Sequence, residues 1–316
     1  ANTLKDQGIE VRFVDPADPE NFRRATDDRT RAYYAETLPN PKLAVFPIAE
    51  VAAIGREYGI PLIVDNTSAP VIARPFDHGA AVIVYSTTKY LGGHGTSIGG
   101  VIVDGGNFPW DKFPERQPAL NTPDPSYHGA VWTEAVKPLG PIAYIIKARV
   151  TLLRDLGAAM SPFNAFLFLQ GLETLPLRME RHSENAQAVA EFLAGHPAVE
   201  RVFYPGLADH PGHDVAKRQM RGFSGMVSFT VKGDVTTALD VARGTRIFQL
   251  AESLGGVESL IEHPGQMTHA SVAGTGAEVE DTLIRLSVGI ENRDDLLQDL
   301  EQALKVAAPA KVVAAR

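Results

Sequence analysis

Ser86-Thr87-Thr88-Lys89-Tyr90-Leu91-Gly92-Gly93-His94-Gly95 follows directly on residues 80–85, an apolar run with no polar–apolar alternation. A continuous β-branched run of that kind reads as a strand buried on both faces, as in a parallel sheet covered by helices. A second such run, Pro61-Leu62-Ile63-Val64, closes with Asp65-Asn66-Thr67. Before it, Ile48, Val51, Ala52 and Ile54 recur at helical spacing behind Pro47, and Gly59 stops the pattern. In open parallel α/β sheets, ligands bind outside the carboxyl ends of the strands. Both polar clusters, 65–67 and 86–89, fall at such ends.

A lysine at the mouth of a buried strand either reaches solvent or sits desolvated in a pocket. Burial lowers the amine's pKa, and a neutral amine is a carbonyl nucleophile that forms Schiff bases. The hydroxyls of Ser86 and Thr88 and the backbone of the glycine-rich turn can donate to a phosphate. Asp65 closes the neighbouring run, where an unpaired carboxylate is costly. It either caps the turn through Asn66-Thr67 or holds a pyridinium nitrogen protonated, as pyridoxal phosphate (PLP) requires to act as an electron sink.

Further out, residues 3–7 read as a helical turn stopped by Gly8, 9–14 as a strand, 20–31 as a helix and 43–46 as a short strand. Residues 104–141, rich in Gly, Pro, Asp and aromatics, read as a long surface excursion, a kind of segment that is usually functional or mobile. Helical patterns follow over 142–156, 163–175 and 178–194, the charges of 178–191 marking a solvated face. Strands are expected over 197–204, 225–231 and 282–288, a final helix over 291–306, and a fraying tail beyond. The favoured boundary lies near residue 174, separating the remainder of a large domain (1–174) from a C-terminal α/β domain (175–316).

The chain has 316 residues, enough for about two domains. Its 30 Lys and Arg against 38 Asp and Glu give a net charge of −8, a poor basis for nucleic-acid binding. No apolar run is long enough to span a membrane. Without cysteine there is no disulfide, thiolate metal site or cysteine nucleophile. The opening residues carry no signal-peptide pattern, so the expected location is the cytoplasm. His210 and His213 have the spacing of a loose metal pair but read as surface residues, and His94 as a loop-packing residue. The turn at 92–97 is not a phosphate-binding P-loop, because Lys89 precedes its glycines.

Taken together, residues 46–67, 85–95, Gly255-Gly256-Val257-Glu258-Ser259-Leu260-Ile261-Glu262-His263-Pro264 and Ile284-Arg285-Leu286-Ser287-Val288-Gly289-Ile290-Glu291 resemble the Cys/Met-metabolism family of PLP enzymes. This resemblance covers essentially the whole chain. It implies an α/β architecture of PLP-dependent transferase fold type I (aminotransferase-like): a mostly parallel sheet flanked by helices plus a smaller C-terminal α/β domain. It also implies pyridoxal 5'-phosphate as cofactor, joined to Lys89, with Asp65 at the pyridine nitrogen, Ser86 and Thr88 at the phosphate and Asn40 near the ring oxygen and substrate. Arg285 is then the clamp on the substrate α-carboxylate, assisted by the segment around Ser253.

Within the family, residues 92–108 and the excursion are most similar to O-acetylhomoserine sulfhydrylases, whereas 252–270 look more like cystathionine γ-synthase. The expected reaction is γ-replacement on O-acetylhomoserine with sulfide or methanethiol, with a cystathionine γ-synthase using O-succinyl- or O-acetylhomoserine and cysteine, a γ-lyase and an inactive fold remnant as alternatives. The family pattern further implies a homotetramer built from dimers with shared active sites. Its upstream phosphate loop and ring-stacking tyrosine do not precede residue 1, so weakened cofactor retention is expected.

Overall fold

The structure, a computed structural model, describes residues 2–268 and 279–307. The tail beyond 307 and the last two residues of the 252–270 segment lie outside the described residues. Two sheets carry the fold. In the first, β1 (Tyr33–Glu36), β2 (Leu62–Asp65) and β3 (Val82–Ser86) are parallel neighbours, and β4 (Gly100–Asp104) runs antiparallel on the edge of β3. The second comprises β5 (Val199–Phe203), β6 (Met226–Val231), β7 (Gln249–Leu250), β8 (Leu260–Glu262) and β9 (Leu283–Ser287) in the order β5-β6-β9-β8-β7. Its pairings are antiparallel except β7 with β8.

The two apolar runs became β2 and β3 because Leu62, Val64, Val82 and Ile83 are all buried. The connection from β1 to β2 uses the helix Ile48–Tyr58, which buries Ile48, Val51, Ala52 and Ile54 and ends at Gly59 in the left-handed conformation, φ 69°. In the second sheet every residue of β6 and β9 is buried. The helices Leu175–Ala194, Val235–Gly244 and Arg293–Ala303 cover that sheet and share one core with it.

Several expectations are corrected. Residues 9–14 form no strand: Phe13 is exposed, and Arg12 is tied to Glu10, Asp27 and the Ala25 carbonyl instead of to a neighbouring strand. The helix at 20–31 stops at Ala25, because Thr26 turns extended and Asp27 and Thr30 bond each other across a turn. Residues 43–46 are not a strand either; Leu43 adopts φ 56°, which interrupts an extended chain, and the strand of this region is β1. β1, β4, β7 and β8 lie outside every strand expected from the sequence. The excursion at 104–141 is not merely superficial: Phe108, Trp110, Leu120, Trp132 and Val136 are buried against Ala81 and Val82 of the sheet. Asp124 pins it by accepting from Trp132 Nε1 and Lys147 Nζ. On the helix Leu175–Ala194, Arg178, His182 and Asn185 are buried, so the charged face is carried by the residues interleaved with them, Glu180, Arg181 and Glu184.

Between the two sheets lies a cluster containing Leu38, Leu43, Tyr90, Leu91, Met179, Met226 and Leu254. Hydrogen bonds cross the same seam: Ser228 Oγ donates to the Pro41 carbonyl (2.6 Å) and Gln219 Nε2 to the Phe46 carbonyl (2.9 Å). The segment between β1 and the helix Ile48–Tyr58 therefore meets β6 and the helix His213–Gln219. Among the described residues no helix is long and apolar enough to cross a membrane.

Candidate active site

Asp65 ends β2, and its strand neighbour in β3 is Val84, so the two strand ends lie side by side. A local network joins them. Thr67 donates its backbone N–H to Asp65 Oδ1 (2.9 Å), and its hydroxyl accepts from the backbone N–H of Ser86 (2.8 Å). Tyr34, on β1, donates its phenol to Asp65 Oδ2 (3.2 Å). A carboxylate has about four lone-pair positions, so Asp65 keeps acceptor capacity for a further donor.

Past Ser86 the chain makes one wide turn, Thr87–Leu91, interrupted at Lys89, whose ψ of −132° lies outside the helical range. Tyr90, fully buried, anchors the turn in the seam between the sheets. Lys89 Nζ donates to Ser253 Oγ (2.9 Å) from the other side of that seam. Burial, and then the Arg285 guanidinium, push the Lys89 amine below the usual lysine range, while Glu262 and Glu252 oppose them. Thr88 bonds Gly99 through its hydroxyl, accepting from N–H (3.1 Å) and donating to the carbonyl (3.4 Å), which folds the glycine-rich segment back onto the turn.

Arg285, in β9, completes the constellation. It donates Nη1 to Asn40 Oδ1 (3.2 Å) and Nη2 to the carbonyl of Ser253. Ser253 thus holds the amine with its hydroxyl and the guanidinium with its backbone, at a left-handed φ of 92° that a serine adopts only under constraint. Of the residues expected in the site, Lys89, Ser253, Arg285 and Asn40 form one connected set. Asp65 joins Ser86 through Thr67, and Ser86 precedes the lysine turn. Asn40 lies on the guanidinium.

Three residues of the site are not assigned to it by the sequence. Tyr34 supports Asp65 beside Thr67, whose backbone closes the turn capped by Asp65 that the sequence offers as one of two readings. Arg178 donates to the carbonyls of Tyr90 (2.8 Å), Leu91 (3.4 Å) and Gly171 (2.7 Å), satisfying the buried end of the lysine turn. Glu262 pairs with Arg285 at 2.8 Å; a lone carboxylate inside the apolar run Leu260-Ile261 was its signal, since buried charges require partners. Outside the site, His210 and His213 bond backbone through their Nδ1 atoms, and His94 bonds the Gly92 carbonyl.

The donor set suits an aldehyde cofactor bearing a ring nitrogen: a half-buried amine of lowered proton affinity, and a strand-end carboxylate with acceptor capacity to spare. Comparisons with known proteins agree. O-acetyl-L-homoserine sulfhydrylase of Leptospira meyeri is 50% identical over 314 residues, covering 96% of this chain and 71% of that protein. Cystathionine gamma-synthase of Mycobacterium tuberculosis is 47% identical over 289 residues, covering 91% of this chain and 65% of its own length. A solved Campylobacter jejuni structure described as an O-acetylhomoserine (thiol)-lyase, which carries an N'-pyridoxyl-lysine-5'-monophosphate, superposes with a TM-score of 0.90 at 40% identity, over 96% of this chain and 73% of that one. The chain thus spans about two-thirds to three-quarters of the length of these relatives. The two-sheet α/β architecture is that of PLP-dependent enzymes of fold type I. With an amine, a carboxylate and a guanidinium gathered at one seam, and a match over residues 1–305, the chain belongs to the family of Cys/Met metabolism PLP-dependent enzymes.

Proposed function

We propose that this enzyme carries out γ-replacement on O-acetylhomoserine: the Cγ–O bond to acetate breaks, a Cγ–S bond to sulfide or methanethiol forms, and homocysteine or methionine leaves with acetate. The observation that carries this reading is the single bridge at Ser253, which sets the amine of Lys89 beside the guanidinium of Arg285. An amine next to a carboxylate receptor is what proton transfer on an α-amino acid requires.

Pyridoxal phosphate, bound at Lys89, supplies the electron sink that makes the α-proton of an amino acid removable. Asp65 is assigned to the ring nitrogen, and Ser86 and Thr88 to the phosphate. Arg285 holds the substrate carboxylate, with Asn40 and Ser253 fixing its guanidinium. Lys89, kept below the ordinary lysine pKa, takes the α-proton and then a β-proton at Nζ, so that the Cγ–O bond can break, and returns them after the Cγ–S bond has formed; such general acid–base transfer is worth roughly 10²–10⁴-fold.

The similarity of residues 252–270 to cystathionine γ-synthase, with the 47% identity above, supports a second reading in which cysteine is the sulfur donor. A product assay separates them: O-acetyl- and O-succinylhomoserine are each offered sulfide or cysteine. Homocysteine from the acetyl ester with sulfide is expected; predominant cystathionine would establish the second reading, and 2-oxobutyrate alone a γ-lyase. The reading extends to a cytoplasmic homotetramer of dimers with shared sites, acting on small amino acids and not on nucleic acid or membranes, with its domain boundary near residue 174.

A further inference from the structure

The ion pair of Arg285 with Glu262 has no share in the proton transfers above, yet it is the most deeply buried charge pair at the seam. The two side chains are 2% and 0% exposed, and their residues are direct cross-strand neighbours in β9 and β8. Burying two charges contributes little or nothing to stability unless the geometry is very good, so the pair calls for a role other than stability. A guanidinium has five N–H donors in a rigid plane. Nη1 lies 2.8 Å from Glu262 Oε1 as an ion pair and donates to Asn40 Oδ1 (3.2 Å), and Nη2 donates one hydrogen to the Ser253 carbonyl. Nε is buried and has no hydrogen-bond partner among the described residues, and Nη2 carries a second hydrogen. Those two donors are a pair that a carboxylate can take side-on through two parallel bonds. Glu262 is itself held, since Thr268 Oγ1 donates to Oε1 (3.0 Å).

We propose that Glu262 is a positioning residue for substrate recognition: it locks Nη1 of Arg285 so that Nε–H and the free Nη2 hydrogen stay available to the α-carboxylate. This rests on the assignment of Arg285 as the carboxylate clamp. Glu262 thereby converts a flexible arginine into a preformed receptor for one planar anion, and the energy of recognition is not lost in ordering the side chain.

The test compares binding of L-norvaline and n-butylamine to the cofactor-loaded protein by calorimetry; the two ligands share the same carbon chain beyond the carboxylate. Glu262→Met removes the lock, Glu262→Asp keeps the charge but withdraws it by one methylene, and Glu262→Gln keeps an acceptor at Oε1. L-norvaline should bind about tenfold more weakly to the Met and Asp variants, with butylamine unchanged and the Gln variant close to the parent. The Asp variant decides the matter should the Met variant not fold. Equal weakening of both ligands would mean a merely structural role, and tighter norvaline binding would mean that Glu262 competes with substrate. A Gln variant as weak as Met would mean that charge and not position matters. Each of these overturns the proposal. Arg285→Met is the control: if it keeps the preference for norvaline, the clamp assignment itself fails.

Discussion

Three neighbours of different kinds set the environment of Lys89. The strand before it brings it to the carboxyl end of the sheet, Tyr90 behind it is fully buried and anchors the turn, and Ser253 accepts from its amine. Burial and the adjacent Arg285 both disfavour its protonated form. Replacing Lys89 by Ala removes the only amine on this turn. Visible absorbance of the lysine-bound cofactor should disappear, and turnover should fall by at least about 10²-fold; spectrophotometry and the product assay read both, and retention of either would refute the assignment. Lys89 and Asp65 were legible in the sequence because each is a polar residue ending an apolar run, a placement that costs free energy unless it is used. Glu262 was not, because its partner lies 23 residues on and meets it only through strand pairing.

At the scale of elements, the lysine turn has carbonyls that no backbone donor reaches, and Arg178 of the helix Leu175–Ala194 supplies the missing hydrogens. Gly93 permits this: a Cβ there would lie 2.5 Å from Arg178 Nη1. Helical periodicity assigns Arg178 to a charged face, yet the contact spans 88 residues of sequence, and local pattern carries no information at that range. Arg178→Met should leave the carbonyls of Tyr90 and Leu91 without their side-chain donor, and that of Gly171 with the Thr174 hydroxyl alone, at about 1–3 kcal/mol for each unpaired group that water does not reach. Thermal unfolding should show a clear loss of stability, and equilibrium dialysis a parallel loss of pyridoxal phosphate. Undiminished cofactor binding would mean that the turn holds its shape unaided.

At the scale of the whole molecule, the seam between the sheets is also where a titratable group is trapped. His182 is fully buried, packs edge-on against Tyr90 and bonds the Val288 carbonyl through Nδ1 (2.7 Å). Burial pushes its pKa down to about 4, with the Arg178 charge acting in the same direction and the Val288 bond against it. Between that value and the ordinary 6.5 the unfolded chain binds more protons than the folded one. The stability contributed by neutral His182 is therefore present above pH 6.5 and is lost as the pH falls toward 4, by up to about 3 kcal/mol. Urea unfolding from pH 7 to 4.5 should show this slope, and His182→Gln should flatten it; an unchanged slope would place the sensitivity elsewhere.

The apolar runs at 61–64 and 80–85, the polar residues that close them and the combined motifs determined the fold type, the cofactor and the candidate lysine before any coordinates, because burial and chain-local spacing leave their mark in the order of residues. The antiparallel edge strand β4, the brief β7 and β8, the core within the 104–141 excursion and the ties of Arg178, Glu262 and Ser253 were decided only by tertiary packing. Each depends on partners far along the chain that satisfy a buried donor, acceptor or charge. That requirement exists only once the two sheets have closed on each other and excluded water from the seam.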